Sequence, residues 1–267
     1  MSKRKIVLLA SALCMIAILA IGGTLAYFTD TDEATNTFTV GGVVIDLIEQ
    51  QGSEDGKTLV DYVDGKTLMP IVGSAQGEKY DNGQPKAANY IDKVVTIKND
   101  GVSGAWVRAY FAIPSALDDG YETFNAGLNV LHFNYGNKDD VTTYGKQWIW
   151  KQDNGKWKYY ETTIGGVAYN VYFADYYQVL PAGATTEQFI SGVYLDASFD
   201  CKDGKYYAFG KEIDLNDMID AEDGLIVKCP VKAVAVQADG FDSVDAAVTA
   251  AFGANFNPFG GAASNWQ

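Results

Sequence analysis

Histidine is almost missing from this chain: His132 is the only one in 267 residues, and there are just three cysteines. A histidine-rich zinc site and a CxxC-type zinc cage are excluded on count alone. Basic residues are short as well. Twenty lysines and arginines stand against 34 aspartates and glutamates, a formal net charge of −14. That argues against nucleic acid, which needs a basic face, and against docking on anionic lipid. There is no GxxxxGKS/T loop to cradle phosphate, no HExxH and no GxSxG. A Ser–His–Asp triad or a cysteine nucleophile would have to use His132. It sits in the apolar, strand-like run LNVLHFNYG and reads as a packing residue. Carboxylates are too abundant for spacing to single out a glycosidase pair. The acidic turns at Asp153-Asn154-Gly155, 200–204 and 239–242 do not fit the D-x-D/N-x-D/N-G calcium loop and read as solvated turns. No cofactor and no metal are expected, and the chain reads as non-enzymatic.

Long apolar runs are reduced to one. Lys3, Arg4 and Lys5 precede an uncharged stretch from residue 6 to 21, followed by Gly22-Gly23-Thr24-Leu25-Ala26. Thr24 and Ala26 occupy the −3 and −1 positions of a signal-peptidase site, with the cut falling between Ala26 and Tyr27. A spanning helix needs roughly 20 apolar residues, which this run reaches only if the segment to Ala26 is counted. The alternative is an uncleaved anchor, and the expected membrane contact is limited to that uncleaved signal. Cleavage removes three basic residues and takes the net charge from −14 to −17. Cys14 leaves with the signal, and Cys201 and Cys229 remain. In an exported protein they form a possible disulfide, closing a loop of about 29 residues worth roughly 3–4 kcal/mol. Two free thiols are the competing reading, since spacing does not fix Cα separation.

What is present after residue 26 is β-rich. Runs of Val, Ile, Tyr, Phe, Trp and Thr recur between Gly, Asn and Asp turns. Strands are expected in 38–49, with a bulge at Gly41-Gly42, and on both sides of Asn99-Asp100-Gly101 within 93–113. Trp106, Arg108 and Tyr110 alternate there with Val107, Ala109 and Phe111. Further strands are expected in 146–163 around Asp153-Asn154-Gly155, in 167–180, in 187–196 and in 225–238. Pro230 suggests an edge or a bulge in the last. Residues 242–252 form the one good helix, capped by Asp242 or Ser243 and ended by Gly253, and 215–223 a short helical turn. Residues 50–90 read as a long, poorly defined excursion. The expected class is all-β: a jelly-roll-like β-sandwich with one short C-terminal helix, preceded by a cleavable N-terminal signal helix. The domain reading is signal peptide 1–26, extended N-terminal arm 27–37, sandwich 38–252 and flexible tail 253–267. Trp148, Trp150 and Trp157 are a possible glycan platform, against cross-strand aromatic pairing in a hairpin.

The string GGTLAYFTDTDEATNTFTVGGVVIDLIE (22–49) resembles the N-terminus of the TasA/camelysin family. The matching features are Gly-Gly-Thr before the cut, Ala26, Tyr27-Phe28-Thr29-Asp30, and Asn36-Thr37-Phe38 leading to a first strand with Gly41. Leu68-Met69-Pro70, the KVVTIKNDGVSGAWVRAYFAI segment, Leu180-Pro181-Ala182-Gly183 and the closing VAVQADGF are similar more loosely. The resemblance implies a SipW-type signal peptidase as partner, secretion, and residence in the extracellular matrix or on the cell surface. It also implies a jelly roll and self-association into biofilm fibres or with other matrix proteins, the freed arm of one subunit adding as a strand to the next. Some relatives are described as camelysin-like metallo-endopeptidases, which makes a secreted hydrolase a further alternative, although this chain has no recognisable zinc motif. The cysteine pair and the aromatic hairpin at 146–160 depart from the family pattern. They point instead to a secreted surface adhesin or glycan-binding module.

Overall fold

The computed structural model describes residues 29–32, 42–54, 58–72, 89–118, 129–135, 147–153, 156–220 and 224–260. The expected signal helix 1–26, the Ala26–Tyr27 junction, Asn154-Gly155 and residues 261–267 of the expected tail lie outside them. Strands follow one another as β1 (Thr29–Asp32), β2 (Ile45–Gly52), β3 (Leu59–Asp61), β4 (Ile91–Asn99), β5 (Ala105–Pro114) and β6 (Leu131–Tyr135). Next come β7 (Trp148–Trp150), β8 (Gln152–Asp153), β9 (Lys156–Trp157), β10 (Tyr159–Ile164), β11 (Val167–Tyr176) and β12 (Ile190–Leu195). The series closes with β13 (Asp200–Lys202), β14 (Lys205–Ala208), β15 (Lys211–Ile213), β16 (Ile219–Asp220), β17 (Gly224–Leu225), β18 (Val231–Gln237) and one helix, α1 (Val244–Phe252).

Two antiparallel sheets face each other. The first has the order β1-β18-β5-β11-β10, with β7 also on β11; the second has the order β3-β2-β4-β12-β6. This is the expected all-β sandwich with a short C-terminal helix. Period-2 alternation builds it. Val107, Ala109, Phe111 and Ile113 of β5 point between the sheets and meet Val95 and Ile97 of β4 and Ile45 and Leu47 of β2. Burial of each such large apolar side chain contributes roughly 1.5–3 kcal/mol. Their neighbours Tyr110 and Ala112 point the other way, yet they too are buried, because α1 and the residues after it cover the outer face of the first sheet. The molecule therefore has three layers over this region.

Asn99-Asp100-Gly101 joins strands as read, but β4 and β5 lie in different sheets, so the turn is an arch between layers and not a hairpin. The fully buried Asn99 side chain holds the arch. Its Nδ2 donates to Ser103 O (2.8 Å) and Leu180 O (3.0 Å), and its Oδ1 accepts from Gly101 N at 3.0 Å. Gly101 leaves no alternative: a Cβ there would sit 2.4 Å from Gly42 O. Gly183 N donates to Asn99 O, so the Leu180-Pro181-Ala182-Gly183 turn docks on the same arch. Two motifs far apart in sequence are thus one structural joint.

Other readings need correction. Trp148–Trp150 does not pair with the segment after Gly155; it pairs with Ala174–Tyr176, and only β8 and β9 form the local hairpin. Pro230 precedes β18, which is neither an edge strand nor bulged at that point. The proline carbonyl accepts from Ala112 N, and its missing N–H falls outside the ladder. Residues 253–260 are no flexible tail. Asn257 is buried, its Oδ1 accepts from the Tyr160 hydroxyl at 3.0 Å, its Nδ2 donates to Thr162 Oγ1 at 2.9 Å, and Phe256 and Phe259 pack on the outer core. In the expected excursion, β3 turns back onto β2. The helix is as read: Ser243 Oγ accepts from Ala246 N at 3.2 Å, and Gly253 ends it with φ +91°.

Candidate functional site

The sequence VKAVAVQ of β18 is apolar at almost every position, and all of it but Lys232 is buried. Such a strand is made to be covered on both faces. One face meets the inter-sheet core through Ala233 and Ala235, and the other meets α1 through Val234 and Val236. One backbone edge bonds to β5 over Val231–Gln237. The opposite edge is closed by β1, with Thr29 opposite Val236, Asp30 opposite Ala235, Thr31 opposite Val234 and Asp32 opposite Ala233. A four-residue piece of the N-terminal arm is therefore the margin of the first sheet. Without it, the apolar stretch Ala233–Val236 of β18 presents a row of unpaired N–H and C=O groups, a template for another strand.

The helix behind β18 is fixed by a closed ring of charges. Arg108 on β5 lies opposite Asp175 on β11, and its guanidinium forks onto that carboxylate, Nε–Oδ1 2.6 Å and Nη2–Oδ2 3.0 Å. The same Nη2 reaches Asp245 in the first turn of α1. Lys151, just past β7, donates to Asp175 Oδ2 (2.8 Å) and Asp245 Oδ2 (2.6 Å). Two cations and two anions cancel. Arg108 and Asp175 are both buried, and the guanidinium also lies 4.6 Å from the Phe173 ring centroid. Burial works against the charge of Arg108, but the bond to Asp175 and its field outweigh that and hold the group above its ordinary value. Burial pushes Asp245 up, but hydrogen bonds from Lys151 and Arg108 outweigh it and hold it below its ordinary 3.8. A second tether, Trp106 Nε1 donating to Phe241 O at 3.1 Å, fixes the chain just before the helix.

A carboxylate with a depressed folded value adds stability that is fully present above its unfolded value and is lost as pH falls through the folded one. Helix docking is expected to hold unchanged from neutral pH down to about 4 and to loosen below it. Near-ultraviolet circular dichroism of the Trp106 region checks this, with Asp245→Asn as the variant in which the acid transition disappears.

The residues singled out in the sequence lie elsewhere. Trp148, Trp150 and Trp157 are core residues, at most 6 % exposed. Trp150 stacks on Trp157 (centroids 4.7 Å apart) and on Phe189 (4.8 Å). A glycan platform needs open ring faces, and these are shut. Cys201 is an exposed thiol on β13, and Cys229 is a second thiol packed against the main core, so the two are not bridged. Burial pushes the Cys229 thiol up to about 12, which leaves it protonated and inert. His132 stacks on Tyr194 (4.9 Å, 8° between planes) with its Nε2 3.5 Å from Asp196 Oδ2. Burial lowers its pKa despite the Asp196 charge. It is a packing residue, as read. A cleft of about 190 Å³ lies between Ser115–Asp118 and Ala208–Ile213. Asp118 there accepts from the Tyr172 hydroxyl (2.7 Å) and Asn170 Nδ2 (2.8 Å), a structural role. No group of three His, Cys, Asp or Glu side chains able to hold a metal occurs among the described residues.

Sequence reasoning missed the Arg108–Asp175–Lys151–Asp245 ring. A signal existed: Arg108 and Asp175 are charges inside otherwise apolar strand runs, and a charge in such a place needs a partner. Comparison with protein-family models, with curated proteins and with solved structures finds no match for this chain.

Proposed function

We propose that this chain is an exported structural protein of the extracellular matrix or cell surface, a subunit that assembles by N-terminal strand donation. The observation that carries the reading is the closure of the apolar strand β18 by the arm segment Thr29–Asp32. In an assembly, the arm of one subunit takes the same register on the β18 of the next. Exchange replaces one set of backbone hydrogen bonds with an identical set, so its cost is small and concentration drives it. A transfer from subunit to subunit does not close on itself and grows as a filament. Cleavage ahead of Tyr27 by a SipW-type signal peptidase frees the arm, which links export to assembly. Little else in the surface argues for chemistry. His132 is stacked and half-committed to Asp196, and the tryptophans that favoured a glycan-binding module are interior.

Electron microscopy of the purified protein tests this against a variant lacking residues 27–37. The intact arm gives filaments, while the shortened chain folds, by its near-ultraviolet spectrum, and stays monomeric. Filaments from the shortened chain would overturn the proposal.

A further inference from the structure

The arm and the helix meet the same strand from different directions. The residues whose backbones pair with Thr31 and Thr29 are Val234 and Val236. Their side chains belong to the outer core together with Val244, Ala247 and Val248 of α1. Lifting α1 would leave both valines, with Tyr110 and Phe173, facing water, and a strand wet on one face has a weaker claim to its place. Beyond the buried Val244, Ala247 and Val248 and the anchor that Asn257 makes after it, the helix is held on this face by polar contacts that can be undone singly. Asp245, 62 % exposed at its side chain, is the only helix residue in the charge ring, and Trp106 Nε1 to Phe241 O ties the segment before it.

We propose that α1 is a latch whose docking through Asp245 on Arg108 and Lys151 sets how firmly β18 holds its arm strand, the chain's own or a neighbour's. The latch deepens the strand-donation reading and rests on it for its biological use, but the coupling itself is a property of the single molecule. Docked, α1 dries the outer face of β18 and keeps the template straight. Released, it lets β18 and β1 open together while the second sheet stays closed, because β4, β12 and β2 bury their own residues without the helix.

Amide hydrogen exchange in the purified protein reads this directly. Asp245→Asn is expected to speed exchange at residues 29–32 and 233–236 by about two- to fivefold, the scale of losing a partly exposed ion pair, and to leave β4 and β12 unchanged. Trp106→Phe removes the tether before the helix without touching a charge and is expected to act on the same segments. Glu212→Gln, which breaks the exposed pair with Lys205 on the small β13–β15 sheet, changes neither. Faster exchange confined to α1, with residues 29–32 at the original rate in both latch variants, would overturn the coupling. So would acceleration spread evenly over both sheets, which would make Asp245 a general stability residue. Filament formation is scored separately. Selective exchange without filaments sustains the latch and removes the assembly reading; filaments with an unaffected arm do the reverse.

Discussion

Trp148→Ala is expected to lower the stability of the fold by about 3–5 kcal/mol, the range for deleting a large aromatic side chain from a packed core. Trp148 is fully buried. Its ring meets Tyr176 (5.2 Å) and Phe189 (5.1 Å), and its Nε1 donates to Glu187 O at 3.0 Å. Alanine removes the ring, leaves a cavity between the sheets and orphans that carbonyl, so the losses are of three kinds at one site. For a domain of this size the midpoint of thermal unfolding should fall by roughly 10 °C. Phenylalanine at the same position keeps most of the volume but not the N–H and should lose about a third to a half as much. A scan that finds the alanine variant as stable as the parent would show that Trp148 is not part of the core, and it would reopen the glycan-platform reading that its burial closes.

Arg108→Met is expected to cost about 3 kcal/mol, measured by denaturant unfolding, for a different reason. The charge ring is neutral as it stands, and Arg108 and Asp175 are each at most 9 % exposed at the side chain. Taking away the guanidinium leaves the buried Asp175 carboxylate with Lys151 alone and frees Asp245 from one of its two cations. A buried charge that loses its partner is costly, whereas an apolar pair in place of both is often neutral. The double variant Arg108→Met, Asp175→Leu should therefore recover most of the stability, while Lys151 and Asp245 remain paired with each other. If the double variant is as unstable as the single one, packing of the arginine stem and not its charge is what matters at that site. The latch gives the single variant a further signature: the C-terminal helix should become more susceptible to proteolysis than the inter-sheet core.

Alternation in the sequence was enough for much of the fold. Val107, Ala109 and Phe111 against Trp106, Arg108 and Tyr110 specified both the strand and its two faces, and Asp242 or Ser243, the alanine-rich run and Gly253 specified the helix and its ends, the cap falling on Ser243. The reason is that period and capping are local: each depends on residues within a few positions of one another. Locality also explains the misreadings. Asn99-Asp100-Gly101 marks a reversal of the chain, but whether the next strand returns to the same sheet or crosses to the other depends on Leu180 and Gly183, some eighty residues away. Trp148 and Trp150 read equally well as a surface platform and as an interior stack until β11 and Phe189 are placed beside them. The thiols of Cys201 and Cys229 were an even pair on paper, and the fold sets one on the exposed small sheet and the other against the core.

What the amino-acid order determined by itself was the β-rich class, the excess of acidic over basic residues, the single histidine and the position of the helix, since composition and short-range periodicity are fixed before folding. Which strand lies beside which, that β5, β11 and β18 are largely buried on both faces, and that Arg108, Lys151, Asp175 and Asp245 close a ring between the first sheet and α1 were decided only in three dimensions. Those outcomes depend on pairing and burial between residues up to two hundred positions apart, and backbone hydrogen bonds and buried charges are satisfied by whichever partner the whole chain brings near, not by the nearest residue in sequence.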